Sequence, residues 1–268
     1  MLDSLVSGAL GGDIELLVQD RQGRYSSAVC GRYTLTSSGQ ELASHFEAQP
    51  VLDLQPRFNV APSQPVPVVR IAAAGEAGAE PGKRQIALHR WGLIPTWARD
   101  ASIGSRMINA RAETAADKPA FREAIRRRRC LVPMTGFFEW RGGGGRKLPS
   151  WFHPSEGEGA LWVAAGLWES WWDPGGQAVH SCTILTTAAN AIVAEFHDRM
   201  PVLLAATHYA RWLDPELEDP RALADLLVPW PAEHTAVRAV SDRVNDARAE
   251  GPELLAAREP PAQGELFG

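Results

Sequence analysis

The chain has 268 residues, 45% hydrophobic and 22% charged, with 27 Lys and Arg against 32 Asp and Glu for a formal net charge of −5. This is the composition of a soluble globular protein long enough to bury a sizeable core. It excludes a membrane-spanning helix, since no apolar run reaches the roughly 18 residues one needs, and three widely spaced cysteines without a CxxC exclude a disulfide framework or a zinc cluster and point to a reducing cytoplasm.

The first 28 residues are dotted with Gly and Ser and hold no sustained period of 3.6 or 2, so they read as a leader. They do not fit a signal peptide, because the apolar patch between Asp3 and Asp13 is short and no basic segment precedes it. Cys30-Gly-Arg-Tyr-Thr-Leu-Thr36 then alternates as a first strand, and Ser38-Gly-Gln-Glu41 has the form of a capping box opening a helix to about Glu47. Gln55 to Pro62, with Pro65 and Pro67, makes a Pro-stiffened extended stretch leading into a strand over Val66–Ile71. Residues 72–83 read as a solvent loop and Gln85–Gly92 as a strand. A helix is expected over Lys118–Arg129, with its Arg126–Arg129 run as a solvated last turn. Strands follow at Cys130–Pro133 and Gly136–Trp140, then a mobile hairpin tip at Gly142–Gly145. Further strands fall near Trp151–His153, Leu161–Glu169 and Ser181–Thr187. Ala189–Phe196 reads as a short helix, Met200–Leu204 as a strand, Thr207–Leu213 and Arg221–Leu227 as helices, and Thr235–Ser241 as the strand that closes the sheet. From about Arg248 the chain turns polar and rich in Pro, Gly and Glu, which reads as disorder. The expected organisation is an extension over 1–29 outside the mature protein, one domain over 30–247 and a tail over 248–268. The expected fold class is α+β, a curled, mostly antiparallel sheet or barrel-like core with short peripheral helices.

Charge is unevenly spread: residues 30–200 carry 19 basic against 16 acidic side chains, and residues 201–268 carry 6 against 12. A local basic groove for nucleic acid is therefore compatible with an acidic total.

Four residues stand where chemistry would use them. Cys30 at a free N-terminus would be a 1,2-aminothiol, whose amine condenses with an aldehyde and whose thiol then closes a five-membered ring. Val29 before it is what an internal GTG start codon translates to, so the mature chain would begin at Cys30 after Met removal. Read locally, on this stretch alone, Cys30 is a buried core thiol on a first strand. Asn109 sits in Ile108-Asn-Ala-Arg-Ala-Glu-Thr114, where an ordinary turn or cap Asn would also serve. Glu139 is threaded through Gly136-Phe-Phe-Glu-Trp140, sharing a strand face with Phe137. Desolvation there raises a carboxyl pKa and suits it to proton transfer, while an edge Glu facing water or pairing with Arg141 is the alternative. His197, in Phe196-His-Asp-Arg-Met-Pro201, is fit for proton shuttling or for a structural role. Trp91, Trp97 and Trp140, with Pro62 and Pro95, are apolar platforms in stretches dense with Arg, a mixture that suits splayed bases and phosphates. Trp162 and Trp168 read as core.

Taken in order, Cys30-Gly-Arg-Tyr, Trp91-Gly-Leu-Ile-Pro-Thr-Trp97, Asn109-Ala-Arg-Ala-Glu-Thr114, Arg129-Cys-Leu-Val-Pro with Gly136-Phe-Phe-Glu-Trp, Ala165-Gly-Leu-Trp-Glu, Ile184-Leu-Thr-Thr-Ala-Ala-Asn and His197-Asp-Arg-Met-Pro resemble the SOS-response-associated peptidase (SRAP) family. The resemblance spans about Cys30 to Val244. It implies a β-rich α+β fold and covalent shielding of abasic sites in single-stranded DNA through a thiazolidine on the N-terminal cysteine. It implies Cys30, Asn109, Glu139 and His197 as the active-site set, and Arg32, Pro62, Trp91, Arg111, Trp140, Thr186 and Arg199 as the DNA-contacting set. The implied partner is single-stranded DNA carrying abasic sites, met by a monomer at the nucleoid without membrane, metal or cofactor. The extension is a departure, because Cys30 preceded by 29 residues carries an amide and not an amine. Initiation at codon 29 and self-removal of the residues before Cys30 both resolve it. Two rivals remain open at this level: a Cys–His peptidase using Cys30 and His197 on proteins, and a non-catalytic single-strand binding module.

Overall fold

The computed structural model describes residues 18–19, 25–26, 30–72, 80–143 and 146–258. Most of the extension, the centre of the expected 72–83 loop, the hairpin tip at 144–145 and the tail over 259–268 lie outside the described residues. Strands β1 (Val18–Gln19) and β2 (Tyr25–Ser26) pair with each other.

Five strands close a barrel. They are β5 (Pro65–Ile71), β6 (Arg84–Trp91), β8 (Arg129–Met134), β11 (Trp162–Trp172) and β12 (Ala178–Ala188). The cyclic order is β11-β8-β5-β6-β12 and back to β11, with every pair antiparallel except β6–β12. Closure leaves these strands no open edge, which suits runs as apolar as Val66–Val69 and Cys130–Val132. Two short strands extend β12 beyond the ring: β7 (Asn109–Arg111) runs parallel to it and β13 (Arg199–Pro201) antiparallel. Beside the barrel lies an antiparallel sheet of β3 (Tyr33–Leu35), β4 (Arg57–Val60), β9 (Gly136–Gly143), β10 (Arg146–Pro154) and β14 (Thr235–Ala239), in the order β14-β10-β9-β3-β4. The expected mixed α+β class with a barrel-like core is what forms.

The seam between sheet and barrel is polar but paired. Thr135, between β8 and β9, donates its N–H to the Thr34 carbonyl at 2.7 Å, and the Trp151 indole N–H reaches the Thr34 hydroxyl at 3.1 Å. Chain alternation on β9 divides two cores: Phe137 faces the main one, and Phe138 faces a second with Trp151, Val240, Val244 and Leu255. Gly136 heads this strand because a Cβ there would lie 2.3 Å from the Trp151 indole nitrogen and 2.5 Å from the Phe152 carbonyl. Gly136→Ala should therefore lower unfolding stability by about 3 kcal/mol, read as a shift of the urea midpoint.

The helices are short. α1 (Gly39–Phe46) starts at the expected capping box, with Ser38 and Glu41 bonded reciprocally, and buries Leu42, Ala43 and Phe46. α2 (Ala112–Ala115) follows β7 directly, α3 (Arg122–Arg127) is a shorter form of the helix expected over 118–129, and α4 (Tyr209–Leu213) packs on β8. The stretches expected to be helical at 189–196 and 221–227 are 3-10 turns at Val193–Glu195 and Pro220–Leu226. Two expectations need correction. Arg129 is not a solvated turn residue: it is 4% exposed and donates to the carbonyls of Ile125, Arg126, Trp212 and Asp214, tying the ends of α3 and α4 to β8. Nor does disorder begin at 248, since a turn at Pro252–Leu255 buries Leu254 and Leu255 and Glu250 pairs with Arg57 at 2.9 Å. Among the described residues no helix is long and apolar enough to cross a membrane.

Candidate active site

Two residues separate Cys30 from the start of β3, and β3 pairs with β9 through Tyr33 and Phe137. That register sets Cys30 beside Glu139. The Cys30 backbone nitrogen donates to Glu139 Oε1 at 2.7 Å. Both residues are 3% exposed. Burial drives the Glu139 carboxyl up to about 7, assisted by the charge of Asp198 and opposed by the hydrogen bonds from Cys30. Burial, with the Glu139 carboxylate beside it, also pushes the Cys30 thiol well above its ordinary value. Cys30 has φ of 46°, a left-handed conformation that costs a non-glycine residue about 1–2 kcal/mol. All three cysteines are free thiols.

A second group of the expected residues lies on the short strands added to β12. Asn109 pairs in register with Ile184 and Arg111 with Thr186, while Thr186 pairs on its other side with Pro201. His197 is half-buried just before β13, and its Nδ1 accepts the Arg199 backbone N–H at 3.1 Å and lies 2.8 Å from Asp198 Oδ1. Arg199 donates to the Thr186 carbonyl at 2.5 Å and to both oxygens of Glu113. The turn that carries His197 is fastened to β9: Arg141 donates to Glu195 at 3.2 Å and lies over the Phe196 ring, which meets Phe152 edge-on at 5.1 Å. The charge of Asp198 is felt at Glu139 for the same reason.

Arg32 and Trp140 form a third group, joined through the C-terminal segment. Arg32 donates to Asn59 Oδ1 at 2.8 Å and to the Val244 carbonyl at 2.9 Å, and the Trp140 indole N–H bonds Asn245 Oδ1 at 2.7 Å. Asn59, fully buried, holds the carbonyls of Val244, Asp246 and Ala249. Pro62 is half-buried at the turn ending β4, and Arg111 is exposed. Trp91 is the correction in this set. Its ring is fully buried, edge-on to Tyr33 at 5.2 Å, with its N–H on the Ile108 carbonyl, so it offers no face to a base. Pro95 is buried as well, whereas Trp97 is 56% exposed. Trp162 is core as expected, and Trp168 is half-buried beneath Arg70.

Local sequence patterns do not single out Glu113, Asn59 or Asn245. Glu113 sits two residues past Arg111 in the motif that holds Asn109, but an acid in a first helical turn looks like ordinary dipole complementation. Only the β7–β12–β13 register brings it to Arg199.

The family model described as SOS response associated peptidase (SRAP) matches residues 29–247. The chain belongs to the SRAP family. SRAP relatives include Abasic site processing protein YoaM of Bacillus subtilis, 39% identical over 233 residues that cover 85% of this chain and 98% of that protein. Abasic site processing protein HMCES of Xenopus tropicalis is 30% identical over 224 residues, covering 76% of this chain and 66% of its own length. The SRAP domain here also matches the crystal structure of a Bacteroides thetaiotaomicron protein with a TM-score of 0.73 and 26% identity, over 86% of this chain and all of that one. A Bordetella bronchiseptica protein matches with a TM-score of 0.67 at the same identity, over 79% of this chain and all of that one.

Proposed function

We propose that this SRAP protein processes abasic sites, capturing them in single-stranded DNA as a thiazolidine on Cys30 once that residue is the N-terminus. The observation that carries the reading is the 2.7 Å contact from the Cys30 nitrogen to a buried Glu139 whose carboxyl titrates near 7. A nitrogen that is to become a nucleophile thus already faces a group able to give and take a proton at neutral pH.

The chemistry follows from those groups. The opened abasic sugar presents an aldehyde at C1′. The amine nitrogen attacks that carbon, and the carbonyl oxygen leaves as water with a proton delivered by Glu139, giving an iminium. The Glu139 carboxylate so formed takes the proton of the Cys30 thiol, and sulfur adds to the same carbon to close the ring. Aminothiol and aldehyde have then become thiazolidine and water, and Glu139 is protonated as at the start. A thiol held above its ordinary value stays protonated until this moment, and ring closure is intramolecular, with effective concentrations of about 10⁵ M or more in favourable cases. In this reading Asn109 holds the amine and His197 serves the sugar hydroxyl or the reverse reaction, while Arg32, Arg111, Trp140 and Arg199, with Pro62, contact the strand and Thr186, 2% exposed, supports Arg199 through its carbonyl. Imine formation also opens β-elimination, a lyase activity.

Cys30 reaches the N-terminus by initiation at codon 29 or by self-removal of the preceding residues; a terminal Cys30 has no φ, so the left-handed strain disappears with the peptide bond. A Cys–His peptidase acting on other proteins needs a thiolate, and burial beside Glu139 works against one. The test is direct. A chain starting at Cys30 should form a denaturant-resistant adduct with single-stranded DNA holding one abasic site and none with the intact strand. Salt-sensitive binding of both strands without any adduct would instead identify a binding module.

A further inference from the structure

The Arg199 fork is engaged by groups of the chain itself. Its Nη1 and Nη2 donate to the two oxygens of Glu113 at 2.6 and 2.7 Å, and Nη2 also donates to the Thr186 carbonyl at 2.5 Å. Glu113 comes from α2, the helix that follows β7, and Arg199 opens β13. Since β7 and β13 flank β12 on opposite sides at Thr186, the ion pair bridges the end of β12. The arrangement differs from an ordinary surface pair, which contributes about 0–1 kcal/mol. The Arg199 side chain is only 12% exposed while Glu113 is 51% exposed. Hydrogen bonds from Arg199 hold the Glu113 carboxyl below its usual range, so it is ionised at neutral pH. A bidentate carboxylate fixes the plane of a guanidinium as well as its position.

We propose that Glu113 is a positioning residue for strand capture: acting through Arg199, it presets the guanidinium against Thr186 for a phosphodiester of the captured single strand. This rests on the reading of the site given above. It runs against simple charge counting, since removing an acid beside a polyanion's site should tighten binding, whereas a loosened Arg199 should weaken it.

The test uses single-stranded DNA carrying a tetrahydrofuran abasic analogue, which cannot open to an aldehyde and so reports binding without capture. Glu113→Gln, close in shape and uncharged, should raise Kd for this strand about tenfold. In an Arg199→Ala background the same change should have almost no further effect. With the natural abasic strand, E113Q should raise the concentration giving half-maximal capture by a similar factor and leave the saturated rate within about twofold. Unchanged or tighter binding by E113Q would overturn the proposal, and so would an equal loss in the Arg199→Ala background. Because the analogue cannot react, the two readings fail separately. Absence of an adduct between the unmodified protein and the natural strand would reject capture, while the binding cycle on the analogue alone decides the role of Glu113.

Discussion

Acetylating the amine of Cys30 in a chain that starts there should abolish the heat-stable adduct with abasic single-stranded DNA, although the thiol is untouched. Cys30→Ser at the same free N-terminus should behave differently. It keeps the amine but offers a hydroxyl, a far weaker nucleophile than a thiol near neutral pH, so it should form an imine that borohydride traps and give little heat-stable product. The asymmetry follows from the geometry: it is the nitrogen of Cys30 that meets Glu139 at 2.7 Å, while the thiol is held protonated by burial and by the same carboxylate. A peptidase would show the reverse order, losing activity with Ser and keeping it after acetylation. Gel analysis after heating, with and without borohydride, separates the two.

Glu139→Gln should slow single-turnover capture by about 10²–10⁴ while leaving affinity for the strand nearly unchanged, because it removes a proton carrier and keeps shape. The same substitution tests the cause of the raised carboxyl. In the chain whose Cys30 nitrogen is still an amide, Glu139 titrates near 7 folded against an ordinary value of 4.5. The fold therefore holds a proton that the unfolded chain releases, so this contribution to stability is fully present below the ordinary value and is lost as pH rises through about 7. Between about pH 5 and 8 the unmodified chain should lose up to ~3 kcal/mol relative to Glu139→Gln, read from urea midpoints. Parallel pH profiles would mean that Glu139 titrates as an ordinary solvated carboxylate.

Much of this site was readable from the chain. The alternation Phe137, Phe138, Glu139, Trp140 puts the carboxylate on the face of Phe137 and leaves open whether that face meets core or water; it is buried. The capping box at Ser38 fixed the start of α1. Pairings between distant segments were beyond local patterns. Trp91 resembled a platform because aromatic and basic residues alternate around it, yet barrel closure between β6 and β12 encloses it. Arg129 looked solvated as the last of four arginines, but at the head of β8 it turns between the ends of α3 and α4, where four carbonyls replace water. Residues 248–258 looked disordered by composition, and what orders them is Asn59 and Arg57, almost two hundred positions earlier. Glu113 became visible only through the shared neighbour Thr186.

The most direct test is mass spectrometry of the adduct formed by the protein isolated from its source cells and a single abasic strand. The prediction is one cross-linked peptide that begins at Cys30, joined at C1′ with the loss of one water, in which Cys30 retains neither a free thiol nor a primary amine. An adduct on a lysine, or on a chain that still carries residues 1–29, would contradict it.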